Sequence, residues 1–156
     1  MEAETLFGKM AALCSRREYS VAQIESKMRA MLAAQGAENP DEIVSGVLQR
    51  LQREGFLDNR RFAVAYVNDK LRFNSWGKRR IVQGLRYEHN IPDDIVRDAL
   101  AERYDPFYKE VAKRLYNAKL KSLQRSKREL SPYELKAKLA AYMAARGFDS
   151  FECEEY

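Results

Sequence analysis

Pro40-Asp41-Glu42-Ile43-Val44-Ser45-Gly46-Val47-Leu48 and Pro92-Asp93-Asp94-Ile95-Val96-Arg97-Asp98-Ala99-Leu100 read almost alike, 52 positions apart. In each, a proline opens the segment where a first helical turn needs no N–H. Acids follow where the helix dipole favours them, and apolar residues then recur at helical spacing. The chain is therefore built on an internal repeat, and the repeated piece is a helix.

A second echo extends the repeat. Ser20-Val21-Ala22-Gln23 and Ser131-Pro132-Tyr133-Glu134 both carry the capping-box pattern, in which serine accepts a backbone bond and Gln or Glu reaches back. After Ser20 come Ile24, Met28, Leu32 and then Gly36. After Ser131 come Leu135, Leu139, Met143 and then Gly147, with cap, stripe and terminating glycine at the same offsets. The middle copy is a variant. Gly77 stands as its N-cap, Ile81 and Leu85 form its stripe, and Asn90 replaces the stopping glycine, so its second helix should be shorter.

Each copy also begins with an amphipathic helix. The apolar positions are Leu6, Phe7, Met10 and Leu13 in the first, Phe62, Tyr66 and Phe73 in the second, and Phe107, Val111 and Leu115 in the third. No stretch alternates with period two for long enough to suggest a strand. The expected fold is all-α: tandem three-helix, helix-turn-helix-like units in an elongated curved array. The units would span residues 1–57, 58–104 and 105–156, the last with a shortened final helix near Asp149 that has only Phe151 and Tyr156 to bury.

Composition narrows the function. At 156 residues, 46% hydrophobic and 33% charged, the chain should fold rather than stay disordered. No apolar run approaches a membrane span, and MEAETLFGKM lacks the plan of a signal peptide, so a cytoplasmic protein without membrane contact is expected. Cys14 and Cys153 have no metal-ligand spacing, and a structural disulfide is not expected between them. The net charge of +5 is unevenly spread. Residues 1–59 hold 7 basic and 9 acidic groups, residues 60–97 hold 9 and 4, and residues 105–128 hold 8 and 2. Such a field favours a polyanion or an acidic protein surface.

Enzyme chemistry fails on inventory. The single histidine, His89, falls in a helix-to-helix turn and reads as a surface or capping residue. No Ser-His-Asp, Cys-His or metal-ligand set can be assembled around it. No glycine-rich phosphate loop is present, and no cofactor is expected. Two basic clusters remain as candidate contacts. The first is Lys70, Arg72, Lys78, Arg79, Arg80 and Arg86 around Trp76, on which a base could stack, although filling a joint between units is the commoner role of tryptophan. The second is Lys119, Lys121, Arg125, Lys127 and Arg128 at a helix end, where the dipole favours cations whatever the function. The acidic tail, Asp149, Glu152, Glu154 and Glu155, reads as solvated. Asp58, at a turn that opens the next helix, reads as an N-cap.

These residues also carry a family resemblance. Arg16-Arg17-Glu18-Tyr19-Ser20 with Ile24 and Met28 is similar to the opening of RecX proteins. Gly55-Phe56-Leu57-Asp58-Asn59-Arg60-Arg61-Phe62-Ala63 resembles their Gly-Leu-Leu-Asp-Asp segment, and Arg80-Ile81 with Leu85-Arg86 and Ile91 resembles the run that follows. The likeness covers about residues 5–147. It departs at Asn74-Ser75-Trp76-Gly77-Lys78, where many members have a Gly-x-Gly-Pro turn, at Gly84, where they have Glu, and in the short last helix. The resemblance implies a non-enzymatic protein that lies along the RecA recombinase filament, spans neighbouring protomers and lowers filament growth, ATP hydrolysis and strand exchange. A monomer is expected, with weak affinity for single- or double-stranded DNA. The alternative reading of the same charges is a direct DNA-binding helical module, although base-reading Asn or Gln pairs are sparse.

Overall fold

The structure, a computed structural model, describes residues 1–126 and 128–149. Among these the chain is all-helical. Helices α1 (Ala3–Cys14), α2 (Val21–Ala34) and α3 (Pro40–Arg53) come first. They are followed by α4 (Asn59–Arg72), α5 (Lys78–Gln83), α6 (Asp93–Arg103), α7 (Tyr108–Gln124) and α8 (Pro132–Ala145). Lys127 and residues 150–156, which include Cys153 and the expected last helix with most of the acidic tail, lie outside the described residues.

The helix starts follow from their caps. Ser20 accepts from Gln23 N (3.1 Å) while Gln23 Oε1 accepts from Ser20 N (2.9 Å), a complete capping box. Asp58 Oδ1 accepts from Arg60 N (2.9 Å) and Arg61 N (3.2 Å). Ser131 makes only half of its box. It accepts from Glu134 N (3.1 Å), but Glu134 Oε1 takes the serine hydroxyl instead of reaching back to the backbone. Pro40 is the first helical residue of α3, whereas Pro92 stands one position earlier, as the extended N-cap of α6. The two near-identical segments thus enter their helices one residue out of step.

The second helix of the middle copy is shortened by a change of winding. After Gln83 the chain runs through a π-helical turn, Gly84–Glu88, and stops at Asn90, whose φ of 53° is left-handed. A Cβ at position 84 would overlap the Tyr66 hydroxyl, with Tyr66 Cζ only 3.0 Å away. The tyrosine of α4 therefore occupies the space of the missing side chain. That packing accounts for glycine at this position.

Two cores hold the chain together. Leu6, Met10, Ile24, Met28, Leu32, Val44, Val47, Leu51 and Leu57 close one among α1–α3. The other runs without a break from Phe62, Val67 and Leu71 through Ile81, Leu85, Val96 and Tyr104 to Val111, Met143 and Phe148, so α4–α8 share it. One expected core residue is misplaced: Phe73 caps α4 and is 81% exposed. The buried residues of α4 are Phe62, Ala63, Val67 and Leu71. Phe73 keeps the face of Phe62 and the half-buried Tyr66, but as the C-cap it stands past the last helical residue, at the exposed end of that face.

Candidate functional site

The two cores meet their neighbours through unlike joints, and the candidate residues sit at these joints. Between α1–α3 and α4–α8 the joint is polar. Ser20 Oγ and His89 Nδ1 share a buried hydrogen bond of 2.9 Å, and Asn59 Oδ1 accepts from Val21 N at 3.1 Å. Arg61 reaches the Glu18 carboxylate at 2.6 Å and the carbonyls of Gly55 and Phe56.

His89 is not the surface residue its turn position suggests. It is 8% exposed, with its ring 4.7 Å from Phe62 and 5.3 Å from Tyr66, because the π-helical turn carries it back under α4. Ser20 Oγ also accepts from Gln23 N, and on the other side of the imidazole Nε2 stands 4.0 Å from Glu88 Oε2. Burial lowers the affinity of this imidazole for a second proton, and Lys70 adds to the effect while Glu88 opposes it. Burial also pushes the Tyr66 hydroxyl up to about 12, with Glu88 adding to the effect and Arg80 opposing it. Beside this joint lies an open cleft of about 450 Å³, lined by Arg17, Gln23, Tyr66, Lys70, Trp76 and His89 among others.

The joint between α4–α6 and α7–α8 is a backbone contact. Gly77 N donates to Arg146 O (2.7 Å) and Arg79 N donates to Gly147 O (3.1 Å). A Cβ on Gly77 would run into the Gly147–Phe148 peptide, and one on Gly147, whose φ is +98°, would stand 2.6 Å from Arg80 Cβ. Only glycine on both sides permits this approach. Two arginines staple the same seam. Arg79 donates to Ala144 O at the end of α8, and Arg146 Nη1 donates to Asn74 O at 3.2 Å.

Against this frame the candidate cations sort by what they touch. Arg86 is paired with Asp93 (2.8 Å) and Arg128 with Glu134 (3.1 Å), so their charge is largely answered within the chain. Arg79 serves the seam. Lys70 Nζ and the Arg80 guanidinium lie 4.7 and 4.2 Å from the Trp76 ring centroid, and Arg72 lies 4.6 Å over Phe107. Trp76 is half-buried and occupied by these cations. Lys78, Lys121 and Arg125 show no acidic partner among the described residues, and Lys127 is not among them. Lys119 sits 4.8 Å over Tyr142, whose ring also faces Arg146 at 5.4 Å. One member of the second cluster is therefore linked, through Tyr142 and Arg146, to the turn after α4 that bears the first, by two residues the sequence did not single out. The stop signal at Gly147 was legible, but nothing in the spacing said that Arg146 would reach Asn74.

Chemically the surface offers guanidinium and ammonium groups resting on aromatic rings and still open to anions. Such cations keep their charge while their stems and planes are ordered. No group of three His, Cys, Asp or Glu able to hold a metal occurs among the described residues. No described helix is long and apolar enough to cross a membrane.

Comparison with known proteins adds three findings. A family model described as the second three-helix domain of RecX matches residues 58–100. The Regulatory protein RecX of Haemophilus influenzae strain KW20/Rd is 30% identical over 146 residues, covering 94% of this chain and 88% of that protein. Its counterpart in Clostridium acetobutylicum is 29% identical over 121 residues, covering 74% of this chain and 52% of that one. Among solved structures, a regulatory protein RecX superposes with a TM-score of 0.81 at 20% identity, over 98% of this chain and 71% of that one. RecX from Lactobacillus salivarius gives 0.80 at 16%, over 98% and 92%. At these identities the superpositions establish the fold, all-helical and built of tandem three-helix units, and the curated relatives bear the name of a regulatory protein.

Proposed function

The chain belongs to the RecX family, and from that premise we propose that it regulates the RecA recombinase without catalysing a reaction of its own. It binds RecA nucleoprotein filaments and restrains their extension, their ATP hydrolysis and strand exchange. The observation that carries this reading is the run of cations without acidic partners among the described residues, Lys70, Arg72, Lys78 and Arg80, continued across the seam by Lys119 and Arg146. A nucleoprotein filament presents phosphates and acidic side chains to such a surface, and the contact would bias one state of the filament over another. In this reading the chain works in the cytoplasm as a monomer. Its units at 1–57, 58–104 and 105–156 span neighbouring protomers, and its affinity for naked DNA is weak.

The test is co-sedimentation with RecA filaments assembled on single-stranded DNA, beside naked DNA and free RecA, while ATP hydrolysis is followed. Filament-dependent binding with slower hydrolysis is expected. Equal binding to naked DNA with hydrolysis untouched would replace this reading with that of a direct DNA-binding module.

A further inference from the structure

Phe73 is 81% exposed at a place where the chain has gone to some length to hold it. A single exposed aromatic needs no explanation by itself. Here the turn that follows it is tied at two points. Trp76 N donates to Lys70 O (3.0 Å), and the Arg146 guanidinium holds Asn74 O (3.2 Å). Between these ties Ser75 adopts a left-handed φ of 54°, uncommon for a residue with a side chain. The phenyl ring is thus presented from a fixed base.

Its surroundings say what it is presented to. Phe73 follows Tyr66 by seven residues, two helical turns, so it continues the face of α4 that carries Tyr66 and Lys70 past the cleft. Arg72 precedes it, Arg146 grips the next carbonyl, and Lys70 and Arg80 flank the neighbouring Trp76. None of these four cations has an acidic partner among the described residues. Residues 58–149 as a whole carry 21 Lys and Arg against 12 Asp and Glu. A bare aromatic face among unanswered cations is the pattern of a single-stranded nucleic acid platform, in which cations follow the phosphates and a ring takes an unpaired base. Duplex DNA keeps its bases stacked and offers such a ring no face without being kinked. Trp76 is the less suitable ring, because Lys70 and Arg80 already lie over it.

We propose that Phe73 is a base-stacking residue through which this chain touches single-stranded DNA directly, with Lys70, Arg72, Arg80 and Arg146 along the backbone. The inference rests on the filament reading only in that the partner contains a single strand. The probe is a fluorescein-labelled oligothymidylate, followed by anisotropy over a salt series for the whole chain and for Phe73→Ala and Phe73→Trp. Phe73→Ala should weaken binding about tenfold with the slope of log affinity against log salt unchanged, because no phosphate contact is lost. Phe73→Trp should restore the affinity. In a Trp76→Phe background the tryptophan fluorescence of Phe73→Trp should be quenched by the unlabelled oligonucleotide. Arg80→Gln should instead flatten the salt slope by about 0.7. Because Phe73 is exposed, both of its variants should melt like the parent.

Oligonucleotide affinity equal in Phe73→Ala and parent would overturn the proposal. If the same variant lost filament binding, Phe73 would be assigned to a protein contact. Loss of oligonucleotide affinity in a chain that showed no preference for filaments would leave the stacking proposal standing and sink the filament reading instead.

Discussion

Gly77→Ala would drive a methyl group into the Gly147–Phe148 peptide, and its cost can be worked from the seam itself. Gly77 has a φ of −81°, which alanine adopts freely, so the substitution carries no backbone strain of its own. The added Cβ would stand 2.5 Å from Gly147 O and closer still to Gly147 C and Phe148 N. Ordinary contact lies near 3.5 Å, so the two backbones must part by about 1 Å. That movement lengthens the Gly77 N to Arg146 O bond from 2.7 Å, and the Arg79 N to Gly147 O bond from 3.1 Å, beyond hydrogen-bonding distance. Two net bonds at about 1 kcal/mol each, with partial uncovering of Met143 and Phe148, give a loss of about 3 kcal/mol. Urea unfolding followed by circular dichroism measures it directly. Gly46→Ala is the control, since nothing lies within 4 Å of a Cβ there and alanine improves the propensity of α3, raising stability by up to about 1 kcal/mol. A Gly77→Ala chain within 0.5 kcal/mol of the parent, on that order-of-magnitude scale, would refute the account of the seam.

Three further outcomes are expected. Gly84→Ala should cost about 1–2 kcal/mol by crowding the Tyr66 hydroxyl, and Tyr66→Phe should recover at least half of that, because the nearest remaining ring atom stands 3.0 Å away; a double-mutant cycle by denaturation reads the coupling. The folded chain binds a proton at His89 less readily than the unfolded chain, whose imidazole has the ordinary value of 6.5. Stability is therefore undiminished above that pH and falls as the pH drops below it, and His89→Gln should flatten a melting profile taken between pH 5 and 8. Asp58→Ala should cost about 1 kcal/mol through the lost bonds to Arg60 N and Arg61 N, and an unchanged melting midpoint would show that those bonds add nothing.

What could be read from the residues alone was local. Ser20, Asp58 and Gly77 cap helices because the cap signal is contained in four or five consecutive residues. The shortened middle helix could likewise be inferred from Asn90. The errors share one cause. His89, by its place in a helix-to-helix turn, reads as a surface or capping residue; it does close the π-helical turn, yet its ring is buried under α4, where Ser20, 69 residues earlier, bonds it. Phe73 was assigned to the core because it keeps step with Phe62 and Tyr66, but that face of α4 leaves the joint before it reaches position 73. Arg79, a candidate contact in the first basic cluster, also donates to Ala144 O at the end of α8, which its place in the sequence does not announce. Periodicity tells which faces of a helix match each other. It does not tell where along a face the neighbouring element ends.

The unlike joints also give the molecule a mechanical order. A pull along the chain meets one connection made of a few polar groups around Ser20 and His89, and another made of interlocked backbone over a continuous apolar core. The first yields earlier, since its bonds can be exchanged one by one for water while α1–α3 keep their own core intact. Under tension the chain would then part first at this joint and could close again there, the load being shed before either body began to unravel.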